Sequence, residues 1–327
     1  MKRRILLWAT MLVLGHAGFL QAQEGPRLDV VFLLDATGSM GDEIDAVKEK
    51  IRAMISAIAL GDPVPDVRFG IVAYRDRGDE YVTRVYDLTR DIDRIVDNLD
   101  QISADGGGDY PESFNEGLHV AVQELNWDRE APASRLVFLI ADAPPHLDYA
   151  DDYHFRDEVE MAQGNGIVIH AIGASGLDQE GEDIFREVAE ATEGQFQWLA
   201  YETQYVDEDG EDVIVVVEGR TTTYKKGDEV WVVEEGGEMP EGLPAVGMGG
   251  REVSMGAEED GAVLGDASAG AGGGGAAPVS SSTNLDDLIT EVIKDAAAES
   301  GVDYENDGET AVESTSWGQV KARQQRR

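Results

Sequence analysis

The stretch that most constrains the fold is residues 28–39, which read Leu-Asp-Val-Val-Phe-Leu-Leu-Asp-Ala-Thr-Gly-Ser. Its apolar run at residues 30–34 is typical of a strand that is buried on both faces in a parallel sheet covered by helices. The run stops at Asp35, and Thr37 and Ser39 follow at alternate positions across a turn that contains Gly38. One carboxylate and two hydroxyls in this arrangement favour a hard cation such as Mg²⁺ or Ca²⁺ over a soft metal.

Strand and helix patterns alternate from this stretch to about residue 199. Strands are predicted at residues 67–74, 81–88, 135–141, 167–172 and 195–199, and helices at residues 42–60, 91–102, 111–125, 157–163 and 181–191. Parallel strands need long crossovers, so the alternation predicts an α/β fold with a doubly wound, mostly parallel sheet. Such sheets bind ligands where the strand order reverses. If the strands before Asp35 and Asp142 are neighbours there, the two carboxylates face one cleft.

Two further loops supply carboxylates at this edge. Asp109 follows a glycine run at residues 106–108, and Asp142 directly follows the apolar strand at residues 135–141. The D-x-[ST]-x-S pattern, the Gly-Gly-Asp-Tyr-Pro-Glu of residues 107–112 and the Ala-Asp-Ala-Pro-Pro-His of residues 141–146 come in this order. Together they resemble the three ligand loops of the metal-ion-dependent adhesion site (MIDAS) of von Willebrand factor type A (vWA) domains.

The resemblance covers residues 28–199 and implies a Rossmann-like vWA fold that is a ligand-binding module and not a catalyst. It implies Mg²⁺, or Ca²⁺ or Mn²⁺, bound by the following five residues: Asp35, Thr37, Ser39, Asp109 and Asp142. It also implies an open coordination position that an acidic residue of a protein partner completes. Many adhesion members carry Thr where this chain has Asp109, so here three carboxylates are expected to bind the ion more firmly and to depend less on a partner's carboxylate.

Each of these residues taken singly could instead have a purely structural role. An Asp at a strand end is commonly a helix cap or turn residue, and only the three loops taken jointly favour a metal. Asp76, Asp79 and Glu80 are predicted to form a solvated turn, with an adjacent metal site as the alternative. His146 is predicted to be an exposed loop histidine, with a role beside the metal or toward a partner as the alternative.

Catalytic patterns are missing from the sequence. A haloacid dehalogenase-type phosphotransferase needs a second Asp at position 37, which is Thr. There is no G-x-G-x-x-G after the first strand, no Lys after the glycine run, and no G-x-S-x-G or H-E-x-x-H. We therefore predict a protein that is not an enzyme and mediates protein binding or adhesion. A metal-dependent hydrolase or phosphate-handling enzyme is the first alternative, and a scaffold subunit of a surface assembly is the second.

The net charge predicts the kinds of partner and the oligomeric state, and the N-terminal residues predict the cellular location. The chain has 26 Lys and Arg against 66 Asp and Glu, which argues against nucleic acid or an anionic membrane as a partner and, through self-repulsion, favours a monomer. Residues 1–22 have three basic residues and then a short apolar run, the pattern of a secretory signal peptide and not of a membrane span. The chain has no Cys. A periplasmic or secreted protein, with no integral membrane segment after cleavage, is expected.

The second half of the chain changes character. In the family a final helix normally follows the last strand closely, but here residues 202–282 intervene. We predict the following organisation: signal peptide, 1–22; vWA domain, 28–200; inserted β element of two or three short strands, 201–235; Gly/Ala-rich linker, 236–282; final vWA helix, 283–299; disordered tail, 300–327. The insertion either influences the final helix, and through it the metal site, or is a passive spacer.

Overall fold

The computed structural model describes residues 27–303 except residues 42, 59–60, 63, 130–132, 208–209, 239, 241, 244–277 and 300. The predicted signal peptide, most of the predicted linker and the tail beyond residue 303 lie outside the described residues. No helix in the described part of the chain is long and apolar enough to span a membrane.

The central element is a six-stranded sheet with the strand order β3-β2-β1-β4-β5-β6. Its strands are β1 (Arg27–Asp35), β2 (Asp66–Tyr74), β3 (Thr83–Thr89), β4 (Ala133–Ala141), β5 (Ile167–Gly173) and β6 (Phe196–Trp198). All pairs are parallel except β2 with β3. The predicted doubly wound, mostly parallel sheet is confirmed, and the strand order reverses between β1 and β4.

Helices cover both faces of this sheet. They are α1 (Glu43–Ile58), α2 (Ile92–Asp100), α3 (Phe114–His119), α4 (Phe155–Gly164), α5 (Gln179–Ala191) and α6 (Leu285–Glu299). In β1, Val30, Phe32 and Leu34 belong to the core cluster that contains α1, α2 and α6. Val31 and Leu33 belong to the opposite cluster, with α3, α4 and α5. The apolar run is continuous because both faces of β1 are buried.

Helix α3 begins later than the predicted start at residue 111. The Glu112 amide donates to the Pro144 carbonyl over 3.0 Å, and the Glu112 carbonyl accepts the His146 amide over 3.1 Å. These bonds place Glu112 in a β-bridge with the loop after β4, so the helix begins at Phe114. A π-helical turn, Val120–Glu124, continues it.

The inserted element is larger than predicted. It is a five-stranded antiparallel sheet with the order β10-β9-β8-β7-β11, formed by β7 (Ala200–Val206), β8 (Asp212–Glu218), β9 (Thr221–Lys226), β10 (Glu229–Glu234) and β11 (Pro278–Thr283). Strand β11 falls within the segment predicted as linker, which corrects that boundary. Its Ser-Ser-Ser stretch lacks the alternation that marks a half-buried strand, and pairing with β7 alone defines it.

The second sheet shares its core with the first. Tyr205, Val213 and Val215 on its inner face are buried in the same cluster as Leu285 and Ile289 of α6. Helix α6 follows β11 directly, at the position predicted for the final helix. The insertion therefore shares the core on the face of the α/β sheet that α1, α2 and α6 cover.

Candidate metal centre

The first ligand loop is a tight turn built on Asp35, the last residue of β1. The Thr37 amide and the Thr37 hydroxyl both donate to Asp35 Oδ1, over 2.9 and 2.7 Å. A single 3₁₀ turn, Gly38–Met40, follows. These bonds hold the carboxylate and the hydroxyl at the carboxyl end of the central strand, where doubly wound sheets bind ligands.

Hydrogen bonds join this loop to the loop after β4. Thr37 Oγ1 and Ser39 Oγ lie 3.1 Å apart, and Ser39 Oγ donates to Asp142 Oδ1 over 3.1 Å. Because β1 and β4 are paired neighbours, Asp35 and Asp142 leave the sheet side by side. The structure brings together four of the five predicted ligands: Asp35, Thr37, Ser39 and Asp142.

Asp35 is fully buried, and its Oδ2 has no hydrogen-bond partner among the described residues. Burial raises the pKa of Asp35 to about 6, although the bonds from Thr37 act in the opposite direction. The neighbouring Tyr74 is also fully buried, and burial and the charge of Asp35 raise the pKa of its hydroxyl well above the usual value. A buried carboxylate oxygen without a donor lacks the neutralisation that a divalent cation supplies. The residues present therefore fit a hard cation.

The glycine loop packs tightly against the first loop. The Gly38 amide donates to the Gly106 carbonyl over 3.0 Å, and the Asp105 amide donates to the Ala36 carbonyl over 3.1 Å. Gly107 has a φ of +68°, and a Cβ there would lie 2.9 Å from Thr37 Cβ and 2.7 Å from Glu112 Oε1. This approach of two backbones explains the glycine run, since residues with a Cβ rarely adopt such a φ.

Arg75 connects the first ligand loop to the segment before the glycine run. No sequence pattern predicts this role. The buried guanidinium of Arg75 donates to the Ala36 carbonyl over 3.0 Å and to the Ser103 carbonyl over 2.8 Å. The group also lies 4.4 Å from the centre of the Tyr81 ring. A planar guanidinium with several fixed donors suits this task, because it can satisfy carbonyls of separate segments at once.

Glu112 is a second residue that the sequence reasoning missed. It is buried, and its Oε2 has no partner among the described residues. Burial and the charges of Asp35, Asp76, Asp142 and Asp79 raise its pKa to about 9. The one sequence signal is its position directly after Pro111, which predicts a helix start, whereas in the structure the helix begins only at Phe114.

Asp109 is located differently from the other four predicted ligands. One ligand atom each of Asp109, Asp76 and His146 lie within 4.8 Å of one another. Asp109 is exposed, whereas Asp76 and His146 are only 3% and 4% exposed. The expectations of a solvated turn at Asp76 and of an exposed loop histidine at His146 are therefore wrong, because Asp76 accepts hydrogen bonds from Ser113 and Tyr149 and His146 stacks on the Tyr149 ring. The role of Asp109 as a ligand of the first centre stays a prediction.

An α/β sheet with carboxylates and hydroxyls from separate loops at its switch point defines a class of cation-binding domain. A family model described as von Willebrand factor A domain matches residues 29–201. This chain therefore belongs to the von Willebrand factor A (vWA) domain family.

The matches to known proteins cover only part of each chain. The chain is 31% identical over 143 residues to the alpha-protein kinase vwkA of Dictyostelium discoideum, a match that covers 43% of this chain and 22% of the relative. It is 33% identical over 120 residues to the human von Willebrand factor A domain-containing protein 7, covering 37% of this chain and 12% of the relative. The matches thus span less than a quarter of these relatives.

Among solved structures, proximal thread matrix protein 1 of the mussel byssus, with a zinc-occupied MIDAS motif, is similar at 19% identity. The match has a TM-score of 0.43 and covers 54% of this chain and 42% of that one.

Proposed function

We propose that this protein binds Mg²⁺, or Ca²⁺ or Mn²⁺ in its place, through Asp35, Thr37, Ser39 and Asp142, and uses the ion to bind a protein partner. The observation that carries the proposal is the fully buried Asp35 carboxylate, whose second oxygen makes no hydrogen bond of normal geometry among the described residues and has the neutral Tyr74 hydroxyl as a neighbour. When bound, the ion supplies charge neutralisation and a coordination position for an acidic side chain of the partner. The sequence predicts Asp109 as a fifth ligand, but in the structure its carboxylate lies within 4.8 Å of ligand atoms of Asp76 and His146.

The surface around the centre suits a protein partner. Ser39 is exposed, and Tyr110 and Leu147 in the two adjacent loops are 47% and 52% exposed. Exposed aromatic and aliphatic side chains beside a charged group are typical of binding surfaces. These features support adhesion or another protein interaction at this edge of the sheet.

Export to the periplasm or the exterior is part of the proposal. It rests on the basic and apolar pattern of residues 1–22 and on the absence of Cys from the sequence. The net charge of −40 supports a monomer that avoids nucleic acid and anionic membranes. Localising a tagged full-length chain, with and without residues 1–22, tests this part.

A binding role without catalysis is also proposed. One relative is a protein kinase, but the match covers only 22% of it, so its activity does not transfer to this chain. A screen with generic phosphoesters in Mg²⁺ and Mn²⁺ tests the hydrolase alternative. Turnover that Asp35→Asn abolishes would overturn the proposed role.

Titration calorimetry tests the metal site. Mg²⁺, Ca²⁺ and Mn²⁺ are titrated into the wild type, Asp35→Asn and Ser39→Ala, with Asp105→Asn as the control. Asp105 is an exposed carboxylate of the glycine loop that accepts a bond from the Gly106 amide. Asp35→Asn should abolish binding, Ser39→Ala should weaken it, and the control should bind as the wild type does. Equal binding by Asp35→Asn would refute the proposed centre.

Partner capture tests the second half of the proposal. Immobilised wild type and Asp35→Asn are exposed to proteins of the producing cell in Mg²⁺ and then in chelator. A partner of the proposed kind is retained by the wild type in Mg²⁺ and lost both in chelator and with the variant. If the partner is retained both in chelator and by Asp35→Asn, partner binding does not depend on the ion.

A further inference from the structure

Three ligand-type side chains outside the first centre meet at one point. Asp76 follows β2, Asp109 lies in the glycine loop and His146 lies in the loop after β4. One ligand atom from each lies within 4.8 Å of the other two. Asp76 and His146 are buried while Asp109 is exposed, so the group is built into the fold and remains open on one side.

A neighbouring carboxylate prepares His146 for metal binding. His146 Nδ1 lies 2.8 Å from Asp148 Oδ1. An ionised acceptor keeps the proton on Nδ1, which leaves the lone pair on Nε2. Metal-binding histidines typically have this arrangement, since the outer carboxylate fixes the ring and its tautomer. His146 Nε2 lies 3.6 Å from Asp76 Oδ1.

Two hydroxyl groups also contact the Asp76 carboxylate, but they do not neutralise its negative charge. Ser113 Oγ donates to Asp76 Oδ1 over 2.8 Å, and the Tyr149 hydroxyl donates to Asp76 Oδ2 over 3.4 Å. The same Tyr149 hydroxyl lies 3.1 Å from His146 Nε2. One hydroxyl hydrogen cannot serve both acceptors at once, so acceptor atoms outnumber the donors here.

The buried Glu112 carboxyl provides an independent sign of missing positive charge. Glu112 is buried, and its Oε2 has no hydrogen-bond partner among the described residues. Its backbone belongs to the same group of loops, because its carbonyl accepts the His146 amide over 3.1 Å and the next residue is Ser113. A buried, unpartnered acid therefore lies close to both the first centre and the Asp76 cluster, where bound cations would relieve it.

We propose that Asp76, Asp109 and His146 bind a second divalent cation of the zinc type, at a site distinct from the first centre. One imidazole and two carboxylates suit Zn²⁺, whereas the oxygen-only first centre suits Mg²⁺ or Ca²⁺. Asp109 then serves the second ion instead of the first, and the glycine loop holds the two sites together. The proposal does not depend on the partner-binding role of the first centre.

Zinc stoichiometry measured in excess Mg²⁺ tests this site. Excess Mg²⁺ competes for the oxygen-only centre and Asp35→Asn removes that centre, so equilibrium dialysis of this variant followed by elemental analysis counts the Zn²⁺ that is bound elsewhere. The wild type and Asp35→Asn should each retain one Zn²⁺ per chain, whereas His146→Gln, Asp76→Asn and Asp109→Asn should lose it. Circular dichroism verifies that each variant is folded. Substitution by Co²⁺ gives a second readout, because its visible absorption should change when His146 is replaced.

His119→Gln is the matched control. His119 also has Nδ1 beside a carboxylate, at 2.9 Å from Glu158, and stacks on a tyrosine, Tyr153, at 3.5 Å. It belongs to no three-ligand group among the described residues. This variant should retain Zn²⁺ as the wild type does.

Three outcomes would overturn the second site. The first is a folded His146→Gln that retains its Zn²⁺. The second is loss of that Zn²⁺ in Asp35→Asn, which would locate the ion in the first centre. If His146→Gln does not fold, Asp148→Asn replaces it, because Asp148 is exposed and acts only on the ring. Its Zn²⁺ affinity should fall roughly 10- to 100-fold, and unchanged affinity is the third contrary result.

Discussion

At the scale of single residues, Asp35 has an environment that few carboxylates tolerate. It is fully buried, Thr37 supplies two hydrogen bonds to one of its oxygens, and the other oxygen has no partner among the described residues. The pKa of Asp35 is consequently raised to about 6 by burial. The metal-free protein therefore keeps an uncompensated charge in its core at neutral pH.

The first prediction concerns pH. In chelator, the free energy of unfolding of the wild type should fall relative to Asp35→Asn as pH rises from about 4 to about 6, because the folded state retains a proton that the unfolded state has already released. The cost is absent below the usual pKa of 3.8 and complete above a folded pKa of about 6. It amounts to about 3 kcal/mol. Urea unfolding across this pH range measures it.

Mg²⁺ provides the internal control for this prediction. At neutral pH the ion should stabilise the wild type and leave Asp35→Asn unaffected, since bound metal offsets the buried charge. Asp105→Asn, which changes an exposed carboxylate, should follow the wild type throughout. Parallel pH curves for the wild type and Asp35→Asn would contradict the assignment of Asp35.

At the scale of elements, the glycine loop determines how closely the ligand loops approach one another. Gly106 and Gly107 both have positive φ values, of +78° and +68°. A Cβ on Gly106 would lie 2.4 Å from the Asp79 carboxylate, and the Gly107 amide donates to Asp79 Oδ2 over 3.0 Å. The loop therefore needs glycine for backbone conformation and for space.

The second prediction separates these glycines from their neighbour. Gly107→Ala should cost about 1–2 kcal/mol of stability and weaken Mg²⁺ binding, because the added Cβ pushes Thr37 and Glu112 apart. Gly108→Ala is the matched control, since a Cβ there meets nothing within 4 Å. Calorimetric titration of both variants gives the comparison. Equal Mg²⁺ affinity in the two would show that loop packing does not control the centre.

At the scale of the whole molecule, two sheets share one hydrophobic core. The inner face of the second sheet is buried with α6, the helix that follows it. Asn284 connects the sheets as well, since its Oδ1 accepts the Ala200 amide over 2.8 Å and its Nδ2 donates to the Trp198 carbonyl over 3.3 Å. Because its inner face is buried against the domain, the described part of the insertion contributes to the core. Whether it also influences the metal site stays a prediction.

The third prediction is that both sheets unfold together. Tyr205→Ala removes a fully buried ring from the inner face of β7 and should cost about 3–5 kcal/mol. It should lower the midpoint of a single transition. Val232→Ala on β10 is the control, because Val232 is 65% exposed and should change stability by less than about 0.5 kcal/mol. Calorimetry that gives two transitions, with only one shifted by Tyr205→Ala, would contradict a shared core.

The fourth prediction tests the insertion as a regulator. Deleting residues 202–282 and rejoining the chain by a short turn should lower Mg²⁺ affinity if the second sheet positions α6. If the deletion protein folds and its metal and partner affinities are unchanged, the insertion is only a passive spacer. Asn284→Ala serves as the milder variant, since it removes only the two side-chain bonds that Asn284, just before α6, makes to Ala200 and Trp198.

The sequence by itself determined the α/β architecture and the first ligand loop. The apolar run at residues 30–34 requires cover on both faces, and the residues that follow a buried strand necessarily lie at the edge of the sheet. Asp35, Thr37 and Ser39 were therefore predictable from local order alone. Asp142 was predictable because the strand before it has the same character.

Only the tertiary structure decided which residues of the other loops turn inward. The backbone of Glu112 pairs with the loop after β4, which buries Glu112 and His146 and groups Asp109 with Asp76. Strand β11 likewise exists only through its pairing with β7. These features depend on contacts between segments far apart in the chain, and such contacts leave no periodic pattern in the sequence that a reader could recognise.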